Sequence, residues 1–201
     1  MKKFRKFAII AVIAALTLLV CGAVLAEGVP MGGAPQMPEP QDNTPKGYIW
    51  AAAAVCVAMI LPGIGSALGV GMAGRAAAGV AAEDPEKGGS CLVFELLPAT
   101  QGLYGFVIAM FIAVFSGILS GTVMQLATDL GRSFFYASLP IGVVGLVSAY
   151  FQSRVCCAGI GIVAKQGNGG MGITFAIMVE LYAILALIIS ILMVVGVPVN
   201  A

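Results

Sequence analysis

Histidine is absent from the 201 residues, which removes imidazole acid–base chemistry and histidine metal sites. Charge is nearly as scarce. Asp, Glu, Lys and Arg make up 9% of the chain, against about 25% in an ordinary soluble domain. Ten basic and nine acidic residues leave a formal charge of +1. No basic patch forms, so nucleic acid is excluded as a partner. The five cysteines (Cys21, Cys56, Cys91, Cys156, Cys157) lie in or at the ends of apolar segments, without zinc-site spacing. They are expected as small buried hydrophobes, adjacent Cys156 and Cys157 pointing apart on a helix. Together these absences exclude a soluble enzyme.

What fills the chain is apolar: 60% hydrophobic residues and a mean hydropathy of +1.05. Several apolar runs reach the roughly 20 residues that a membrane-crossing helix needs. The reading is an all-α membrane protein of four transmembrane helices in two hairpins, because only helices and closed barrels satisfy the backbone in lipid.

Taken in order, Lys2, Lys3, Arg5 and Lys6 precede an apolar run from Phe7 to Leu25, with Val24 and Ala26 small at the −3 and −1 positions of a cleavage site. Residues 1–26 are either a secretory signal peptide or a retained N-terminal anchor. Residues 27–46 (EGVPMGGAPQMPEPQDNTPK) are rich in Gly and Pro and read as a solvated linker. Four long segments follow, at 47–80, 89–119, 134–164 and 170–198. The first hairpin is assigned to 47–119, an external loop to 120–133 and the second hairpin to 134–201. Turns at AAEDPEKGG (81–89) and AKQGNGG (164–170) close the hairpins. With the N-terminal cluster inside, eight of the ten Lys and Arg residues fall on the cytoplasmic side, and only Lys46 and Arg132 outside. That bias predicts a multi-pass protein of the cell membrane with cytoplasmic hairpin loops.

Glu180 interrupts GITFAIMVELYAILALIISILMVVGV (172–197), a run with no other charge. About ten residues in, it sits roughly 15 Å deep. An acid near the midplane costs about 2.5–3.5 kcal/mol on insertion scales. Such a residue marks an ion or proton path by default, the competing reading being a purely structural partner for a neighbouring helix. Gln101 in LLPATQGLYG (96–105) and Gln152 reach a similar depth, roughly 18 Å by helical rise, with Thr100 and Tyr104 flanking that level. Pro98 removes an N–H, and the bent turn around it can aim a carbonyl at a ligand. One carboxylate, two amides, a hydroxyl and a carbonyl form an oxygen set that suits a monovalent cation better than calcium. The alternative is interhelical hydrogen bonding, with Gln and Thr as glue.

Glu95 is a second acid, roughly 10 Å in by helical rise and early in its helix, where the dipole favours an anion. Two readings stay open for it: a bundle-facing acid near the interface, or a place on the ion's access route. GIGSALGVGMAGRAAAG (63–79) is built of small residues at three- and four-residue spacing, suited to the tightly packed inner wall of a ring of identical subunits. A glycine-rich phosphate loop is a poorer fit, since the motif lies inside an apolar helix.

The two hairpins look duplicated. Ser66-Ala67 matches Ser148-Ala149 at an offset of 82, and Leu103-Tyr104 matches Leu181-Tyr182 at 78. The counterpart of Glu180 is then Gly102, and that of Gln152 is Val70. Each fused unit keeps one acid.

LLPATQGLYGF (96–106), FQSRV (151–155) and MVELYAIL (178–185) resemble the proteolipid (c or K) subunit of V-type and archaeal-type rotary ATPases, nearest to its bacterial sodium-translocating members. The resemblance spans about residues 47–198. It implies a cation held by the Leu97 carbonyl, the side chains of Thr100, Gln101 and Gln152, and the Glu180 carboxylate, with Tyr104 hydrogen-bonded to the acid. It implies a homo-oligomeric ring in the bilayer, a stator subunit supplying an arginine, and central-stalk subunits docking at 81–89 and 164–170. No cofactor is implied, and the chain alone hydrolyses nothing; sodium, or a proton in related rotors, is cargo. Glu95 departs from the commonly neutral residue of that family. A stand-alone four-helix channel or structural protein is the alternative of another class.

Overall fold

The computed structural model describes residues 46–122 and 126–197. The signal-like segment and all but the last residue of the linker lie outside the described residues. Helix α1 runs Gly47–Glu83, α2 Pro85–Leu96, α3 Thr100–Phe115, α4 Thr128–Gln166 and α5 Gly170–Val195. A 3-10 turn at Leu97–Ala99 joins α2 to α3. These two form one span of 31 residues, so that four rods are long and apolar enough to cross a membrane. The all-α, two-hairpin reading holds.

The boundaries differ from those expected in the polar stretches. The segment 81–89 is helical on both sides of a single break at Asp84. There the residue before Pro85 is pushed out of the helical region, to φ −143° and ψ 93°. Pro85 occupies the first helical turn, and Asp84 Oδ1 caps α2 by accepting from Glu86 N–H at 3.2 Å. Capping and proline chemistry thus convert an expected loop into a one-residue corner. Lys87 braces it, with Nζ 3.0 Å from Asp84 Oδ2 and donating to the Ala164 carbonyl of α4 at 3.1 Å. Likewise TDLGRS (128–133) is not loop but the start of α4. The first hairpin's helix ends at Phe115, before Gly117 turns the chain at φ 80°.

Helices α1 and α4 form the central pair; α3 packs on α1, α5 packs on α4, and α3 also meets α4 and α5. Small residues permit this closeness. A Cβ on Gly65 would lie 2.8 Å from the Leu146 carbonyl oxygen, and one on Gly69 would lie 2.7 Å from Pro98 Cβ. The core has two apolar halves. Ala51, Ala54, Ala58, Ile108, Ile112, Phe134 and Ile141 fill the one nearer the end of α3 and the start of α4. Ala73, Ala77, Cys91, Phe94, Cys156 and Val163 fill the one nearer the Asp84 corner. Cys156 and Cys91 are buried as expected, but Cys56 is exposed, on an α1 face that no other described residue covers. Broad outward faces of α3 and α5, including Leu103, Phe106, Met178, Leu185 and Leu192, are exposed and apolar, as lipid-facing surfaces are.

Candidate functional site

Gln101, Gln152 and Glu180 are buried, the glutamate being 8% exposed and both glutamines 0%. The 3-10 turn around Pro98 starts the construction. Pro98 is buried against Gly69, so the turn is wedged onto α1. The Leu97 carbonyl accepts both the backbone N–H of Thr100 and its Oγ1, the latter at 2.9 Å. At the next position Gln101 points into the bundle while Thr100 stays half-buried.

From Gln101 a hydrogen-bond chain crosses three helices. Its Nε2 donates to Gln152 Oε1 at 2.6 Å. Gln152 Nε2 donates in turn to the Ala176 carbonyl at 3.2 Å and to Glu180 Oε2 at 3.4 Å. Tyr104, one turn beyond Gln101 on α3, closes the circuit by donating its hydroxyl to Glu180 Oε1 at 2.6 Å. The set therefore bridges the outer helix of the first hairpin and both helices of the second.

Donor and acceptor accounting exposes one gap. Every polar atom of Gln152 is used, and both Glu180 oxygens accept. Gln101 Oε1 is buried with no hydrogen-bond partner. An unmet buried acceptor costs about 1–3 kcal/mol, and a carboxylate with only neutral donors about it is costly to bury while charged. A cation within reach of both oxygens would answer both deficits.

Of the residues singled out in the sequence, Gln101, Gln152, Glu180 and Tyr104 are joined directly, and Leu97 and Thr100 form a neighbouring bonded pair. Glu95 stands apart. No hydrogen bond joins it to this set among the described residues, and its carboxylate instead abuts Gly74 on α1. Two participants escaped the sequence reading. The Ala176 carbonyl holds the Gln152 amide, and Ser66 Oγ accepts from Gly102 N–H at 2.8 Å. Ala176 gives no compositional signal, since any residue supplies a carbonyl. Ser66 stood in the repeated Ser-Ala pair, but its bond could not be placed without the packing of α1 on α3.

Comparison with known proteins agrees with the duplication. The family model for the ATP synthase C-subunit matches twice, over residues 53–112 and 135–193. The V-type sodium ATPase subunit K of Enterococcus hirae is 48% identical over 149 residues, covering 74% of this chain and 92% of that protein. The A-type ATP synthase subunit K of Methanocaldococcus jannaschii is 39% identical over 150 residues, again 74% of this chain but 63% of that longer protein.

Proposed function

The chain belongs to the ATP synthase C-subunit family, as a proteolipid of a V/A-type ATPase, and we propose that Glu180 carries the sodium ion it moves. Members of this family form rings and translocate ions rather than catalyse ATP turnover. The observation that carries the sodium reading is the unpartnered, buried Gln101 Oε1 of a side chain joined through Gln152 to a carboxylate that meets only neutral donors. A proton would neutralise Glu180 but leave that amide oxygen unmet; a cation serves both.

In this reading the Leu97 carbonyl, Thr100 Oγ1, Gln101 Oε1, Gln152 and Glu180 supply the oxygens, and Tyr104 holds the carboxylate in place. Five oxygens with one formal charge match a monovalent hard ion. A loaded site is electrically neutral and tolerates the lipid-facing side of the ring; an empty one, with a bare carboxylate, does not. Rotation against a stator would then follow from loading on one side and release at a stator arginine on the other. The turns at Asp84 and at 167–169 would face the cytoplasm and meet the central stalk. The similarity to a sodium ATPase subunit supports the same ion here.

The test is carbodiimide labelling of Glu180 in the assembled membrane sector. Sodium at fixed pH should protect the residue, with potassium far less effective. Labelling governed by pH alone, indifferent to sodium, would make this a proton rotor and overturn the ion assignment.

A further inference from the structure

Besides Glu180, three charged side chains lie away from the ends of the membrane-length helices with no ion pair among the described residues: Glu95, Arg75 and Arg154. Charge at such depth is retained only with a partner or an aqueous contact. We propose that Glu95 pairs with Arg154 of a neighbouring copy, locking adjacent subunits in the ring. The proposal rests on the ring reading and adds to it a specific contact.

The duplication supplies the geometry. Within the chain, the first hairpin presents one flank to the second: Gly69 packs on Ala149 and Ser153 of α4. Offsetting by 82 gives the contact a neighbouring copy would repeat, Phe151 of α4 onto Ala67 and Gly71 of the next α1. All three are exposed in the single chain, whereas Gly69, Ala149 and Ser153 are buried. A Cβ on Gly71 would meet nothing within 4 Å, leaving room for the Phe151 ring. The uncovered flanks are therefore the two halves of one interface, made once inside the chain and once between copies.

The charges fall on those flanks. Glu95 lies against Gly74 and lines an open groove of about 510 Å³ with Ala77, Ala78, Ala81 and Leu92, on the free side of the first hairpin. Its counterpart in the second hairpin, Ile173, packs on the cluster holding Ala73 and Ala77. The matching flank of the neighbouring second hairpin carries exposed Arg154 and Ala158, the counterparts of Met72 and of Ala76, which is packed against that same cluster. Within the chain Ile173 and Ala76 pack against one cluster; by the same offsets the between-chain contact brings Glu95 and Ala158 to one place, with Arg154 one helical turn from Ala158. Small residues on both sides let the helices approach closely enough for a guanidinium to span the gap. The in-chain rival, Arg75, neighbours Gly74 in sequence but makes no ion pair with Glu95 among the described residues.

Such a pair would discriminate the two interfaces. An Ile173-type surface presented to Arg154, or a Met72-type surface to Glu95, leaves a buried charge unpaired, which penalises hairpins that assemble out of alternation.

The test measures the temperature at which detergent-purified rings dissociate. Glu95→Arg and Arg154→Glu should each lower it, and the double swap should return it toward the native value. Glu95→Arg with Arg75→Glu should not. A double swap no more stable than the single reversals overturns the pairing while leaving the ring intact as a conclusion. A native chain that is monomeric instead sinks the ring reading itself. Should the reversals fail to assemble, Glu95→Cys with Arg154→Cys in otherwise native rings gives a second measurement. Mild oxidation should then produce a ladder of multimers on a denaturing gel beyond that of either single variant; no added ladder overturns the contact.

Discussion

The Tyr104 hydroxyl donates to Glu180 Oε1 at 2.6 Å, tying the first hairpin's outer helix to the acid of the second. Hydrogen bonds to charged groups contribute about 1.5–3 kcal/mol. Tyr104→Phe keeps the ring and its packing while freeing one carboxylate oxygen to move. Sodium protection of Glu180 should then require roughly tenfold more ion or beyond. Titration of carbodiimide labelling against sodium reads this directly, and unchanged protection would mean that the tyrosine does not position the acid.

Gln101 donates to Gln152 and keeps a buried, unpartnered Oε1, the oxygen proposed to meet the ion. Gln101→Leu removes both functions and leaves Gln152 Oε1 without its donor. Sodium affinity should fall more steeply than in Tyr104→Phe, while acid still protects Glu180 because protonation needs no amide. A variant shifted toward proton use would show as labelling that responds to pH but not to sodium.

Much of this site was legible in the sequence because depth can be counted along apolar runs. Glu180, Gln101 and Gln152 reach one level by helical rise alone, and the structure joins them in one hydrogen-bond chain. Directions across helices were not countable. That Gln152 also holds the Ala176 carbonyl, and that Glu95 turns to Gly74 and away from Glu180, depends on how α1 seats against α2 and α4. The polar stretches misled for a different reason. AAEDPEKGG reads as loop by composition, but Asp84 before Pro85 is also a helix cap, and the cap prevailed. Its carboxyl is held below the usual range first by its hydrogen bond with Lys87. That bracing is fully present above the ordinary carboxylate range and is lost as pH falls through the group's own lowered value.

Glu180→Gln removes the charge but keeps the size and one carbonyl oxygen. Transport should be abolished, since no ion is then needed to neutralise the site and none is held for release. The ring should survive, because an uncharged residue at this depth is cheaper than an acid. Ion uptake by reconstituted complexes and ring mass in detergent separate the two outcomes; retained pumping would refute the role of this residue.

Gly69 fixes the turn that carries Leu97 and Thr100. A Cβ there would lie 2.7 Å from Pro98 Cβ, 3.1 Å from the Ala149 carbonyl oxygen and 3.3 Å from Ser153 Cβ. None of these is the free end of a flexible chain, so α1 must move. Gly69→Ala should destabilise the fold by about 1–3 kcal/mol, the usual cost of overpacking, and weaken sodium protection as the turn shifts. Gly79→Ala is the control. A Cβ at Gly79 meets nothing within 4 Å, and alanine is the better helix former, so thermal stability should hold or rise slightly.

Gly102 occupies the place that Glu180 holds in the second hairpin, yet restoring the acid there should not restore a second site. The counterparts of Thr100, Gln101 and Gln152 are Met178, Val179 and Val70, so that Tyr182, the counterpart of Tyr104, is the one polar side chain of the set that is kept, and no amide awaits a new carboxylate or its ion. The position is also tight: a Cβ would lie 3.1 Å from Ser66 Oγ, the group that accepts the Gly102 N–H. Gly102→Glu therefore adds the cost of a mid-membrane charge without its amide partners. Rings should assemble poorly, and those that form should bind no more than one sodium per chain. Two carbodiimide-reactive, sodium-protected acids per chain would instead mean that the carboxylate alone builds the site, and that the amides are dispensable.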